Sequence, residues 1–445
     1  MTKATRDASV QPSPPFGGGG ASIAAPPVPV SRPHRVESPL GSRVDPYYWL
    51  RDDTRTQPEV IAHLEAENAY TKQMLSPVQP LIDTLFTEIV ARLKPDDASV
   101  PVRYRGYWYA SRYVPGKEYP IFVRWLDRPV GAAPAVEQVL LDCNELAAGQ
   151  PFFQLGGYEV SPDNRLLAYT VDIVGRRQYQ LIVKNLETAE LLADRLDNIE
   201  AGVAWADDGS TLLYVEQDPV TLLGLRVRSH RLGSAPDSDS LIYEETDDSF
   251  DLSVERSKSE ALLFIGAEST TTSEWRYASS GNVQPRFQVF LPRLAGHEYQ
   301  IEHCEDRFLI RTNWDAENFR IMSVVVGEEG DRSRWREVIA HSTQVFLHEF
   351  DVFRDFLAIG ERSDGLRKIR VRRWSGESWH LAAADATYTM YLGANPEMDV
   401  TDLRYTYSSM TTPTSTYDYD IHSRTHTLLK REPVLGPFDP ADYVS

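Results

Sequence analysis

From about residue 100 onward, short apolar runs alternate with clusters of turn-forming residues. The clearest unit is residues 159–172, in which the Ser-Pro-Asp-Asn sequence at 161–164 predicts a turn. Residues 166–171 follow as a short apolar and aromatic run, typical of a strand that is buried on both faces. The same arrangement returns in residues 204–215 and, more loosely, in residues 253–265.

Weaker copies of this unit follow in the second half of the chain, in residues 305–311, 353–359 and 401–407. The repeated strands begin near residues 166, 211, 261, 307, 356 and 402, a spacing of about 45 to 50 residues that is typical of propeller blades. Residues 105–113 supply an earlier, first blade. Because one small sheet cannot bury both of its faces alone, the repeat predicts an all-β fold, a seven-bladed β-propeller.

The pattern before residue 96 is helical. Pro58 suits the start of a first amphipathic helix, which Pro77 ends. A second helix is predicted from about Val78 to Leu93, with Pro95 ending it. Its apolar stripe consists of Leu81, Ile82, Leu85, Phe86, Ile89 and Leu93. No partner surface for these helices is evident in the rest of the sequence.

These patterns divide the chain into four segments. They are a disordered Pro/Gly-rich extension (1–31), a two-helix N-terminal segment (32–95), the seven-bladed propeller (96–431) and a Pro-rich linker (432–445).

The net charge of −19 argues against nucleic acid, whose phosphates need a basic stripe, and is compatible with basic peptides as partners. No apolar stretch approaches the about 20 residues of a membrane span, and residues 1–20 lack a secretory apolar region. With only two cysteines, Cys143 and Cys304, a disulfide framework is not expected. We therefore expect a cytoplasmic protein without a membrane or nucleic-acid partner.

The candidate metal and acid–base residues have simpler structural explanations. His422 and His426 flank a predicted turn, and the cluster at 297–305 alternates along a predicted strand, so neither favours zinc. Adjacent carboxylates recur along the chain, at 52–53, 96–97, 207–208, 244–245 and 247–248. Adjacency in a loop does not supply the two different environments that acid–base catalysis needs, and the 207–209 stretch fits a blade turn. No metal and no cofactor is predicted.

Several stretches resemble one family, above all Val-Asp-Pro-Tyr-Tyr-Trp-Leu-Arg-Asp-Asp at 44–53. Other matching stretches occur in the same order along the chain, at 112–120, 160–169, 291–299, 313–320, 361–366 and 403–413. They are similar to the N-terminal part of the prolyl oligopeptidase family (peptidase S9A), most closely its oligopeptidase B (protease II) branch. The resemblance implies a propeller that gates access to an α/β-hydrolase domain of a serine peptidase cleaving short peptides after Arg or Lys.

The catalytic signature of that family is missing from this sequence. A hydrolase nucleophile lies in Gly-x-Ser-x-Gly, and no serine here has both glycines in place. No catalytic residue is therefore assigned, and the α/β-hydrolase domain is expected to be absent, so that the chain alone is inactive. Two alternatives stay open: a stand-alone propeller that serves as a protein-interaction platform, and half of a split peptidase assembled in trans with a separate hydrolase domain.

Overall fold

The computed structural model describes residues 25–129, 136–282, 285–436 and 439–443. Most of the predicted N-terminal extension and parts of the predicted linker lie outside these residues. The chain divides after Val90 into two compact units. No helix among the described residues is both long and apolar enough to cross a membrane.

The first unit contains a β-hairpin and two helices. Its elements are β1 (His34–Ser38), β2 (Gly41–Asp45), α1 (Pro58–Leu75) and α2 (Gln79–Val90). The second helix is shorter than predicted, since it ends at Val90 rather than Leu93. Residues 91–93 are exposed, so no packing supports a further turn, and Pro95 disfavours the helical conformation of the residue before it. No residue of α2 is buried, and Phe86 is 68% exposed.

The second unit consists of seven antiparallel blades, which confirms the predicted propeller. Blades 1 to 3 contain β3 (Val102–Tyr104), β4 (Tyr107–Arg112), β5 (Ile121–Leu126), β6 (Gln138–Asp142), β7 (Gln154–Val160), β8 (Leu166–Asp172), β9 (Tyr179–Asn185), β10 (Leu191–Trp205), β11 (Thr211–Gln217), β12 (Gly224–Arg231) and β13 (Ser240–Glu244). Blades 4 and 5 contain β14 (Asp251–Arg256), β15 (Leu262–Glu268), β16 (Ser273–Ser279), β17 (Gln288–Val289), β18 (Tyr299–Cys304), β19 (Arg307–Thr312), β20 (Arg320–Val325) and β21 (Arg336–Ile339). Blades 6 and 7 contain β22 (Phe346–Val352), β23 (Phe356–Ser363), β24 (Leu366–Arg373), β25 (Ser378–His380), β26 (Tyr388–Leu392), β27 (Asp402–Ser409), β28 (Ser415–Asp420) and β29 (Thr425–Arg431).

The long strand β10 belongs to two blades. Its first half pairs with β9 as the last strand of blade 2, and its second half pairs with β11 as the first strand of blade 3. A short helix, α3 (Cys143–Ala147), follows blade 1. The Asp142 side chain caps this helix by accepting hydrogen bonds from the amides of Asn144 and Glu145.

The repeated strands found in the sequence are the second strands of the blades. The example that begins at Leu166 is β8, and six of its seven residues are fully buried. The core lies between neighbouring blades. Phe264 and Trp275 of blade 4, for example, pack with Phe308 and Ile310 of blade 5. Burying one such aromatic side chain contributes about 1.5–3 kcal/mol, which is why the second strands carried the strongest apolar signal.

Side-chain contacts between blade 1 and blade 7 close the ring of seven blades. All four strands of blade 1 come from the start of the propeller segment, and all four strands of blade 7 come from its end. Across this seam, Arg404 donates to the carbonyl of Pro101 at 2.5 Å, and Lys430 Nζ lies 2.6 Å from Asp97 Oδ2. We call this contact region the blade 1–7 seam.

Candidate functional site

The first strand of each blade lines a central channel. A cavity of about 700 Å³ lies there, and residues of blades 1, 2, 4, 5 and 7 surround it. Tyr104, Tyr158 and Phe122 supply aromatic walls, while Glu159 and Glu302 supply carboxylates. Because every blade is an antiparallel meander, all first strands run in the same direction along this channel.

Four blades place a carboxylate at the same level of the channel. Each of these residues pairs with the third residue of the second strand of its own blade. The pairs are Glu159 with Ala168, Glu255 with Phe264, Glu302 with Leu309 and Asp351 with Ala358. We call these four residues the inner carboxylates. The corresponding residues of blades 1 and 3 are Val102 and Ala204.

Burial makes all four inner carboxylates weaker acids than usual. Burial raises the pKa of Glu302 to about 8, although its Oε1 accepts hydrogen bonds from the amides of His303 (2.7 Å) and Lys258 (3.1 Å). Burial also raises the pKa of Glu159 to about 7 and that of Glu255 to about 6. By solvent accessibility these two side chains are exposed to the channel space, so water moderates the effect of burial on them. The pKa of Glu302, the least accessible of these three side chains, therefore lies close to neutral pH.

Two ion pairs, which we call the cross-channel pairs, join blades that are not neighbours in the ring. Lys258 of blade 4 pairs with Asp351 of blade 6, and its ammonium lies 3.6 Å from the ring centre of Phe353. Burial lowers the pKa of Lys258 and raises that of Asp351, while their mutual attraction opposes both changes. Arg105 of blade 1 lies 2.8 Å from Glu260 of blade 4. Blade 4 is thus linked by charge to blade 6 and to blade 1.

The histidine and cysteine candidates take structural positions. His297 Nε2 lies 2.8 Å from Thr312 Oγ1, and His303 Nδ1 lies 2.7 Å from Ser259 Oγ. His426 Nδ1 lies 2.7 Å from the hydroxyl of Tyr405. Within the described part of the chain, no group of three or more His, Cys, Asp or Glu side chains is placed to hold a metal ion.

The adjacent carboxylates of the sequence lie in turns and between blades. Asp208 accepts hydrogen bonds from the amides of Ser210 and Thr211 in the turn before β11, as the sequence predicted. Glu245 is the exception, since its side chain is buried and paired with Arg293. Its burial was not anticipated from the sequence.

Sequence reasoning did not single out the inner carboxylates. Glu159 and Glu255 both lie within the repeated units, but the repeat was defined by its apolar strand and turn. The sequence does contain a signal for them: in blades 2, 4, 5 and 6 an acidic residue lies a few positions before the start of the second strand. This recurrence is visible only once the strand pairing is known, because the number of residues between the acidic residue and the second strand differs between blades.

Comparison with known proteins agrees with this architecture. A family profile described as "Prolyl oligopeptidase, N-terminal beta-propeller domain" matches residues 26–432. Dipeptidyl aminopeptidase BI of Pseudoxanthomonas mexicana is 45% identical over 98% of this chain, and Protease 2 of Moraxella lacunata is 32% identical over 93%. The structure of oligopeptidase B from Leishmania major superimposes with a TM-score of 0.87 at 27% identity, covering 94% of this chain and 62% of that one.

The matches extend over only part of the relatives. The chain spans 62% of the length of the Pseudoxanthomonas protein and 59% of the Moraxella protein. The matched part corresponds to the two helices and the propeller described above. The chain belongs to the prolyl oligopeptidase family, and its residues 26–432 match the profile of that family's N-terminal β-propeller domain.

Proposed function

We propose that this chain is the substrate-gating N-terminal portion of an oligopeptidase B-like serine peptidase that cleaves short peptides after Arg or Lys. The observation that carries the proposal is the set of inner carboxylates at one level of the channel. The chain alone is inactive, because no serine lies in Gly-x-Ser-x-Gly. A hydrolase domain, in the same chain or in trans, supplies the nucleophile.

The size of the channel supports selection of short peptides. A cavity of about 700 Å³ falls in the range of sites that hold a small ligand, about 300–1,000 Å³, and is far too small for a folded protein. Substrates that pass the propeller are therefore peptides in an extended or unfolded form.

The charge of the channel supports a preference for cationic peptides. A cation about 4 Å from an ionised carboxylate gains about 4 kcal/mol at an effective dielectric constant of about 20. Burial raises the pKa of Glu302 to about 8, so a bound cation also favours its ionised form. Cationic peptides are consequently favoured more strongly as the pH rises from about 6 to about 8.

A second substrate class follows from the relative that is 45% identical. Its name, dipeptidyl aminopeptidase BI, describes removal of dipeptides from a free amino end. A free peptide amino group is also a cation, so the inner carboxylates suit this substrate class as well. The two classes differ in whether a blocked amino end is tolerated.

The test joins this chain to the part of the Pseudoxanthomonas relative that it does not match. The fusion is given three fluorogenic amides: a blocked peptide ending in Arg, the same peptide ending in Gln, and an unblocked dipeptide. Turnover of the blocked Arg peptide, at least tenfold above the Gln peptide, supports the oligopeptidase B-like specificity. Turnover of the unblocked dipeptide alone would replace it with the dipeptidyl aminopeptidase specificity.

Gating is tested with channel variants of the same fusion. Glu255→Gln is expected to raise KM for cationic substrates three- to tenfold without changing kcat, because Glu255 lies in the channel and not at the reacting bond. Glu190→Gln on an exposed outer turn is the matched control. Equal KM values for the two variants would contradict a role of the channel in substrate selection.

A further inference from the structure

The connection between the first two strands of blade 7 is unusually long. It comprises residues 393–401, whereas residues 305–306 make the same connection in blade 5 and residues 353–355 make it in blade 6. In an antiparallel blade these connections lie at the end of the channel opposite to the start of β3 and the end of β29. We call this end the distal end and residues 393–401 the strap.

The strap is fixed at its base by one side chain. Asn395 Oδ1 accepts a hydrogen bond from the amide of Arg404 at 2.7 Å, and its Nδ2 donates to the carbonyls of Gly393 (2.9 Å) and Arg404 (3.1 Å). The next residue, Pro396, lines the 700 Å³ cavity and the adjoining cavities as well. The strap therefore leaves blade 7 and reaches the axis of the channel.

The far part of the strap is held by the two neighbouring blades. The amide of Arg354 in blade 6 donates to the carbonyl of Met398 at 3.0 Å, and its guanidinium lies 3.3 Å from Asp399. On the other side, Glu397 lies 3.6 Å from Arg103 of blade 1. The strap thus bridges blades 6, 7 and 1 across the distal end.

We propose that the strap is a lid that closes the distal end of the channel, and that its release opens an entrance there. The cross-channel pairs Lys258–Asp351 and Arg105–Glu260 lie at the same end and complete the closure. The strap itself is held loosely, because the Arg354–Asp399 pair is largely exposed and exposed ion pairs contribute little to stability. Release of the strap therefore leaves the blades intact.

A native thiol reports on the position of the strap. Cys304, at the end of β18, is 5% exposed, and Met398 of the strap packs against the apolar cluster that contains it. Both residues line a cavity of about 670 Å³ at the distal end. The other cysteine, Cys143, is 1% exposed and lies in α3. It serves as an internal reference for opening of the whole fold.

The experiment measures alkylation of the two cysteines in the full chain by N-ethylmaleimide, with mass analysis of the two cysteine peptides. The strap variant carries Glu397→Ser, Met398→Gly and Asp399→Ser. The matched control carries Glu187→Ser and Thr188→Gly in an exposed outer turn. We expect Cys304 to react at least tenfold faster in the strap variant, with Cys143 unchanged, and neither rate to change in the control.

Two results would overturn the proposal. A Cys304 rate within twofold of the native rate means that the strap does not cover this end. An equal rise at Cys143 means that the substitutions open the whole propeller rather than a lid. The single variant Met398→Ala is milder and should give an intermediate rise at Cys304 alone. Because alkylation requires no peptidase activity, these outcomes are independent of the proposed function.

Discussion

Glu245 is the carboxylate whose removal should destabilise the propeller most clearly. It lies between blades 3 and 4, is 5% exposed, and accepts hydrogen bonds from the Tyr243 hydroxyl at 2.6 Å and from Arg293 Nη2 at 2.5 Å. The amides of Thr246 and Asp247 donate to it at 3.0 Å each. Burial alone would raise the pKa of Glu245, but these hydrogen bonds outweigh burial and lower the pKa from 4.5 to about 2.

This pKa change sets the size and the pH range of the effect. At about 1.4 kcal/mol per pKa unit, a fall from 4.5 to about 2 corresponds to about 3 kcal/mol of stability at neutral pH. Because the pKa is lower in the folded state, this stability is complete above about pH 4.5 and is lost as the pH falls towards 2. Glu245→Gln should therefore lower the free energy of unfolding by about 3 kcal/mol at pH 7. The difference in this free energy between the variant and the native protein should narrow below about pH 4.5.

The assay is urea unfolding of the native chain and of Glu245→Gln at several pH values, followed by tryptophan fluorescence. The control is Glu244→Gln at the neighbouring position, where the carboxylate is 45% exposed and pairs with Arg226 at 2.8 Å. An exposed pair is worth only about 0–1 kcal/mol, so this variant should be almost neutral. If both variants lose the same free energy of unfolding at pH 7, the assignment of a buried, strongly held carboxylate at Glu245 is refuted.

Three further predictions concern the channel, the seam and the second helix. Burial raises the pKa of Glu302 to about 8, so its stabilising contribution is present below about pH 4.5 and is lost as the pH rises through 8. Glu302→Gln should accordingly flatten the fall in urea stability between pH 5 and pH 8, whereas the exposed control Glu337→Gln should not. Lys430→Met removes the pair with Asp97 at the blade 1–7 seam and should cost about 1 kcal/mol by thermal unfolding. An equal effect of Lys368→Met, which breaks a pair within blade 6, would count against a special role of the seam. Phe86→Ser should reduce self-association of the purified chain in light scattering, because this side chain is 68% exposed on α2. If Thr87→Ser lowers association equally, the exposed apolar face is not its cause.

The fold was largely predictable from the sequence because the second strands of blades 2 to 6 are buried on both faces. Such strands appear as apolar runs at a regular spacing, and turns such as that at Asp208 mark their starts. The last turn of α2 was placed wrongly. Leu93 continues the apolar pattern of the helix, but it is exposed, so no packing holds a further turn in place.

The channel could not be predicted in the same way. Glu159 and Asp351 are far apart in sequence and reach one level only through the register of two different blades. The cross-channel pair of Arg105 and Glu260 likewise depends on the closure of the ring. Long-range arrangements of this kind follow from the stacking of blades and not from any local pattern of residues.

The central claim is that this chain gates a peptidase whose chemistry is supplied by a hydrolase domain. Its most direct test compares hydrolysis of a fluorogenic Arg-containing dipeptide by the purified chain and by the fusion with the unmatched part of the Pseudoxanthomonas relative, both with controls for trace proteases. We predict no turnover by the chain alone and clear turnover by the fusion. Turnover by the chain alone that survives those controls would contradict the account.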